Sequence, residues 1–205
     1  MTPIGPITLN TPLRHFGPPP KRCDVVVLGG GVIGVMTAWF LAERGFAVTL
    51  CEKGRIAGEQ SSRNWGWIRQ QGRDLAELPI MMESMRIWAQ MSQTFGPALG
   101  FRQEGVMYLA RSQKEMAGFD AWMIQAQGLG LDVQLQSTAQ VYAHLKGASV
   151  PWLGGLFTPS DARAEPWAAV PLMAQGAAAR GAVLVENCAV RRLDVQGGRV
   201  AGVYT

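Results

Sequence analysis

Residues 24–54 read DVVVLGGGVIGVMTAWFLAERGFAVTLCEKG, and this stretch decides the fold. Val25 to Leu28 is a β-branched, apolar run suited to a buried parallel strand. Val35 to Arg44 reads as a helix ended by Gly45, and Val48 to Cys51 as the next strand, closed by Glu52. Between the first strand and the helix, Gly29, Gly31 and Gly34 form a GxGxxG fingerprint. Gly29 permits a tight turn, Gly31 lets the backbone approach a pyrophosphate, and Gly34 lets the helix pack closely on the sheet. The anion then sits on the helix N-terminus, where unpaired N–H groups and the positive end of the dipole meet it. Glu52 lies 18 residues beyond Gly34, where a carboxylate accepts hydrogen bonds from ribose hydroxyls and repels a 2′-phosphate. An ADP-ribose moiety without that phosphate is expected.

A GxGxxG in a chain with 25 glycines among 205 residues is weak by itself. Its context of strand, helix and terminal acid is what gives it meaning. The apolar run Val25 to Ala42 approaches the length of a membrane-spanning helix, but the glycines at 29–31 divide it into a strand and a helix buried against each other. Composition adds less. The net charge of +4 comes from arginines scattered along the chain, without the basic cluster of a nucleic-acid surface. Cys23, Cys51 and Cys188 lack metal-ligand spacing and are expected as free thiols in a reducing, cytoplasmic setting. Residues 1–22, with six prolines and no apolar signal core, are expected to be a flexible lead.

After Glu52 a simple nicotinamide-binding fold feeds into another amphipathic helix. Here Lys53 to Gly72, KGRIAGEQSSRNWGWIRQQG, has no sustained helical period and reads as a long loop rich in hydroxyl, amide and guanidinium groups. An extended FAD needs such a second set of contacts, so the loop favours a flavin over a nicotinamide cofactor.

These residues resemble the D-amino-acid oxidase-like FAD-dependent oxidoreductases, the group with glycine oxidase, sarcosine oxidase and D-amino-acid dehydrogenase. The likeness is carried by Asp24 to Lys53 and by GEQSSRNWGWIR at 58–69, and more loosely by GVMYLARS at 105–112, DARAEP at 161–166 and the chain from Gly181 onward. The resemblance implies an α/β fold: an FAD-binding Rossmann-like β-α-β domain of the glutathione-reductase type with an inserted α+β substrate domain, both incomplete at the C-terminus. Expected boundaries are 23–95 for the first FAD-binding segment, 96–155 for the start of the substrate domain and 156–205 for the return. It also implies oxidation of the carbon next to an amine nitrogen, in a D-amino acid, glycine, an N-methyl amino acid or a related amine, by hydride transfer to flavin. The alternative is a non-catalytic dinucleotide-binding fragment or one subunit of a split flavoprotein.

By the same resemblance Gly29, Gly31 and Gly34, with Val32 and Ile33 between and beside them, hold the pyrophosphate, and Glu52 holds the ribose. Lys53 sits at the adenine end, Ser61 and Ser62 near the phosphates, and Arg63, Asn64 and Gly66 where the loop passes toward the flavin. Val190 falls on a strand whose backbone touches adenine. Arg69 stands where the sarcosine oxidase branch has a substrate carboxylate binder, a role suited to a planar guanidinium; a structural ion pair is its other reading. No catalytic residue is assigned and no metal is expected. FAD is expected to be non-covalent, because the only histidines are His15 and His144 and the flavin loop has no cysteine. Family members continue past the point where this sequence stops. The strand that flanks Val25 to Leu28 on its other side is therefore expected from a complementary polypeptide, without which the product is expected to be aggregation-prone and poorly active.

The remaining sequence places an amphipathic helix, Leu78 to Phe95, on the FAD domain. Further helices are expected over Gln113 to Gln127 and Trp167 to Arg180, with a strand over Val183 to Glu186. A hairpin closes the sequence, its turn at Gly197-Gly198.

Overall fold

The structure, a computed structural model, describes residues 5–205. The chain divides into two compact units: the described residues up to Trp65 together with Glu165–Thr205, and Gly66–Ala164. The first unit opens with strand β1 (Val25–Leu28), helix α1 (Val32–Glu43) and strand β2 (Val48–Cys51). The second contains β3 (Trp67–Ile68), α2 (Leu78–Phe95), β4 (Val106–Ala110), α3 (Gln113–Gly128), β5 (Gln134–Ser137), α4 (Thr138–His144), β6 (Gly154–Thr158) and β7 (Ala162–Arg163). The chain returns to the first unit with α5 (Pro166–Ala179), β8 (Val183–Val185), β9 (Arg192–Gln196) and β10 (Arg199–Tyr204).

In the first unit β1, β2 and β8 form a parallel sheet in that order, with Val27 beside Leu50 and Leu50 beside Leu184. All four residues of β2 are buried, as the central strand of a parallel sheet requires. Helix α1 is apolar on nearly every side and buries Val35, Ala38, Trp39 and Ala42, packing along α5. The closest approach is at Gly176, where a Cβ would lie 1.9 Å from a ring atom of Trp39. The Arg180 guanidinium lies over that ring at 3.7 Å from its centre, and Arg180 also pairs with Glu43 at 3.3 Å. The closing hairpin turns at Gly197 and Gly198 with φ of 56° and 76°, the paired positive values that a two-residue turn of matching twist demands.

The second unit is built on an antiparallel sheet, β4-β6-β5. Helices α3 and α4 each start with a reciprocal capping box, Ser112 with Glu115 and Ser137 with Gln140. Helix α2 has the bounds its periodicity predicts, but it belongs to this unit and not to the first. Leu78, at its start, lies in a core with Ala126, Leu131, Val133 and Leu156. An apolar stripe specifies that a helix is buried, not which partner buries it. The return likewise begins at Glu165 and not at 156, because Leu156 and Phe157 pair with both β4 and β5.

Replacing Gly176 by alanine tests the α1–α5 packing. Helix propensity alone favours alanine by about 1 kcal/mol, but the added methyl has no room beside a clamped indole, so overpacking dominates. A net loss of about 1–3 kcal/mol is expected in urea unfolding. A neutral or stabilised variant would mean the two helices do not meet at this position.

Candidate functional site

The first unit gathers the glycine turn, the start of α1, the end of β2 and the loop after it. Gly29 has a φ of 103°, which side chains rarely adopt, and its N–H donates to the Cys51 carbonyl at 2.9 Å. A Cβ on Gly34 would stand 1.9 Å from the Gly29 carbonyl oxygen, so the helix begins as close to the strand as the backbone permits. Gly31 directly precedes α1, and a Cβ there would meet the Ser61 hydroxyl at 3.1 Å. Ser61 accepts the N–H of Val32 at 2.9 Å, while Ile33 presents its side chain to solvent. The loop after β2 is thereby attached to the helix N-terminus, where phosphate binding is expected.

Glu52 is buried, and its carboxylate is held from two directions. One oxygen accepts the N–H of Gly30 at 2.6 Å and the other that of Gly54 at 2.7 Å. Each oxygen keeps a further lone pair for a hydroxyl donor. Beside it lies a cavity of about 350 Å³, lined by Glu52, Gly54, Arg55 and, from the N-terminal segment, Thr8, Leu9 and Asn10. A backbone turn without side chains, a helix N-terminus and an oriented carboxylate together fit the ADP portion of a dinucleotide.

Other expected residues fall around this centre with different tasks. Lys53 is exposed and pairs with Glu59 at 3.7 Å. Ser62 is buried and accepts the Ile7 N–H at 3.0 Å. Arg63 donates to the Gly58 carbonyl at 2.9 Å, and Asn64 to the carbonyls of Gln60 and Ser61, so both shape the loop. Val190 lies between β8 and β9 and not on a strand, half-buried against Cys51, Val185 and Cys188. Gly66 and Arg69 belong to the second unit. There Arg69 donates to the Gln71 carbonyl and lies 5.9 Å from the Trp67 ring centre. Asp161, fully buried, accepts the backbone N–H groups of Gln70 and Gln71 and fixes the segment after Arg69. Burial pushes the Asp161 carboxyl pKa up against these donors.

Sequence reasoning missed the N-terminal segment, expected as a flexible lead. In the structure it is tied down by two charged side chains of this unit. The Arg55 guanidinium donates to the carbonyls of Thr11 at 2.6 Å and Leu9 at 2.8 Å. The buried Glu186 carboxylate accepts the N–H groups of Arg14 at 2.6 Å, His15 at 3.0 Å and Ile56 at 2.7 Å. The one available signal is that Glu186 ends an apolar strand, as Glu52 does.

Residues 24–205 match the sequence pattern of the family described as FAD dependent oxidoreductase (DAO). The chain belongs to that family. Within it, the sarcosine oxidase beta subunit of Rhizobium meliloti is 30% identical over 200 residues, covering 92% of this chain and 47% of the relative. Human mitochondrial sarcosine dehydrogenase is 27% identical, covering 92% of this chain and 21% of the relative. Among solved structures, L-amino acid deaminase from Proteus myxofaciens superposes with a TM-score of 0.90 at 27% identity, over 98% of this chain and 46% of that one. Glycine oxidase from Bacillus cereus gives 0.78 at 27% identity, over 89% and 51%. The parallel β-α-β sheet thus matches the N-terminal half of DAO-family flavoenzymes, and the chain spans about half or less of these relatives. Among the described residues no helix is long and apolar enough to cross a membrane.

Burial holds the His15 imidazole pKa below its ordinary 6.5, with the Glu186 carboxylate opposing and Arg14 assisting. The docked segment therefore favours neutral His15. As pH falls through 6.5 the released segment takes up the proton first, and docking weakens until pH passes the lower docked value. Between pH 7.5 and 5.5 the melting temperature is expected to fall further in the wild type than in His15→Gln. Equal falls would remove His15 from the docking balance.

Proposed function

We propose that this chain forms the nucleotide-binding part of an FAD-dependent oxidoreductase acting on an amino acid or related amine. The observation that carries the reading is the Glu52 carboxylate, held at the mouth of the glycine turn by the N–H groups of Gly30 and Gly54. Bound FAD supplies the hydride acceptor for oxidation of the carbon next to nitrogen. The chain's own groups bind and orient. The turn at Gly29 and Gly31 and the start of α1 at Val32, Ile33 and Gly34 take the pyrophosphate, with Ser61 and Ser62 near the phosphates. Glu52 takes the ribose hydroxyls, Lys53 lies toward the adenine end, and the Val190 backbone meets adenine. Arg63, Asn64 and Gly66 carry the loop toward the flavin, and Arg69 binds the substrate carboxylate through its planar fork. The sarcosine oxidase, sarcosine dehydrogenase and glycine oxidase relatives support a small or N-methylated amino acid as substrate.

A chain that works with a complementary polypeptide is the second reading. It is favoured by β1, which among the described residues has a strand neighbour only at β2, and by Leu28 at its end, which is 55% exposed. Sedimentation of the protein alone and with a candidate partner distinguishes the two.

The purified protein is expected to bind FAD, seen as the flavin absorbance bands after desalting. Glu52→Ala is expected to weaken FAD by about 1–3 kcal/mol through the lost charged hydrogen bonds. Unchanged titration curves would remove Glu52 from the site, and absence of any flavin binding by the wild type would refute the reading. In turnover assays across glycine, D-amino acids, N-methyl amino acids and simple amines, Arg69→Ala is expected to raise KM for the amino acids by roughly 10–100-fold and to spare amines without a carboxylate. A uniform loss of FAD would instead make Arg69 a structural residue.

A further inference from the structure

The N-terminal segment is anchored on both sides of a short exposed stretch. Ile7, only 2% exposed, donates its N–H to Ser62, the neighbour of the serine that meets the start of α1. On the far side Arg55 grips the Thr11 carbonyl, and Glu186 grips the N–H groups of Arg14 and His15. Between these anchors the chain makes a tight turn. The Thr11 N–H donates to the Thr8 carbonyl at 3.0 Å, and the Thr8 N–H returns to the Thr11 hydroxyl at 3.1 Å. Thr8, Leu9 and Asn10 line the cavity beside Glu52, and Leu9 is 71% exposed while resting on Gly54.

The turn is ordered by bonds to its own main chain, and its leucine lines the cavity. A turn fixed at both ends has already lost its conformational freedom, yet it leaves a leucine mostly in water. The cavity volume of about 350 Å³ falls within the range of small-ligand sites. Among its lining residues is Glu52, the acid expected to take ribose hydroxyls. The rest of its lining combines Leu9, between Thr8 and Asn10, with the charged residues Arg55, Glu59 and Arg63, so that it offers one apolar contact among polar groups to a nucleoside, whose rings are apolar on their faces and polar at their edges.

We infer that the turn Thr8–Thr11 is part of the cofactor site, closing beside Glu52 over the ribose of the dinucleotide's adenosine half with Leu9 as the apolar contact. The inference rests on the flavin reading above and extends it to a segment outside the β-α-β unit. Arg55 and Glu186 are then positioning residues, because they hold the turn in place by its backbone. Charge-assisted bonds to main-chain groups fix the position of the segment whatever its side chains, which leaves those side chains open to contact a ligand.

The test compares Leu9→Asp with Phe16→Asp, an identical charge change at a 77%-exposed residue of the same segment that does not line this cavity. Binding of FAD and, separately, of ADP-ribose is measured by calorimetry, with the melting temperature of the ligand-free protein as a control for folding. Leu9→Asp is expected to weaken both ligands by about tenfold or more, the equivalent of one leucine's apolar contact. Phe16→Asp is expected to change them by less than about twofold, as a screened surface charge does. Leu9→Ala is measured beside these, so that loss of contact is separated from charge, and is expected to weaken both ligands in the same direction. Equal affinities in wild type, Leu9→Asp and Leu9→Ala would overturn the inference and leave the flavin reading intact. A loss confined to FAD, with ADP-ribose unchanged, would also overturn it. Failure of the wild type to bind either ligand would overturn the flavin reading and this inference together.

Discussion

The Glu52 carboxylate is the constraint around which the first unit is arranged. It ends a fully buried strand, where an acid without partners would carry a large desolvation cost. That cost is offset by two backbone N–H groups, one from the turn after β1 and one from the loop after β2. The same bonds hold the two strand ends together above the sheet, so the geometry of the turn and the burial of the acid depend on each other. Gly34 completes this arrangement by letting α1 begin against the Gly29 carbonyl. A side chain at Gly34 would push the start of the helix away from the end of the strand.

Much of this architecture is legible in the sequence because local rules and tertiary packing agree. β1 and β2 have the bounds that their apolar runs predict, and α2 has those of its period. Helix α1 begins at Val32, three residues before the expected start, because Val32 to Gly34 at the end of the fingerprint form its first turn. What the sequence hides is the choice of partner. The stripe of α2 has the same pattern whichever core receives it, and only the observed packing of Leu78 with Val133 and Leu156 assigns it to the second unit. The N-terminal segment is hidden for a different reason. Arg55 and Glu186 bond to its main chain, and main-chain contacts impose no side-chain pattern that a reader could recognise.

The second unit has its own buried acid, and it uses the same device. Asp161 lies at the turn between β6 and β7 and accepts N–H groups from Gln70 and Gln71, on the segment that follows β3. The side-chain amide of Gln70 adds a third donor, and Thr158 donates its hydroxyl to the side chain of Gln71. Two stretches some ninety residues apart are thereby joined through one carboxylate. The irregular run after Glu52, which has no periodicity of its own, is ordered at its far end by this acid and at its near end by Glu52 and Ser61.

Beneath the glycine turn, at the end of β2, Cys51 contacts Cys188 and Val185 in a small apolar cluster. Burial, and then the hydrogen bond with Cys188, push the Cys51 thiol up to about 12. Almost none of it is thiolate at neutral pH, and the thiolate is the form that alkylating agents and oxidants attack. The sulfur therefore serves as a small, polarizable packing atom and introduces no reactive group. Chemical labelling at neutral pH is directed instead to the half-buried Cys23, at the entrance to β1, which makes that position a natural handle for attaching a probe next to the sheet.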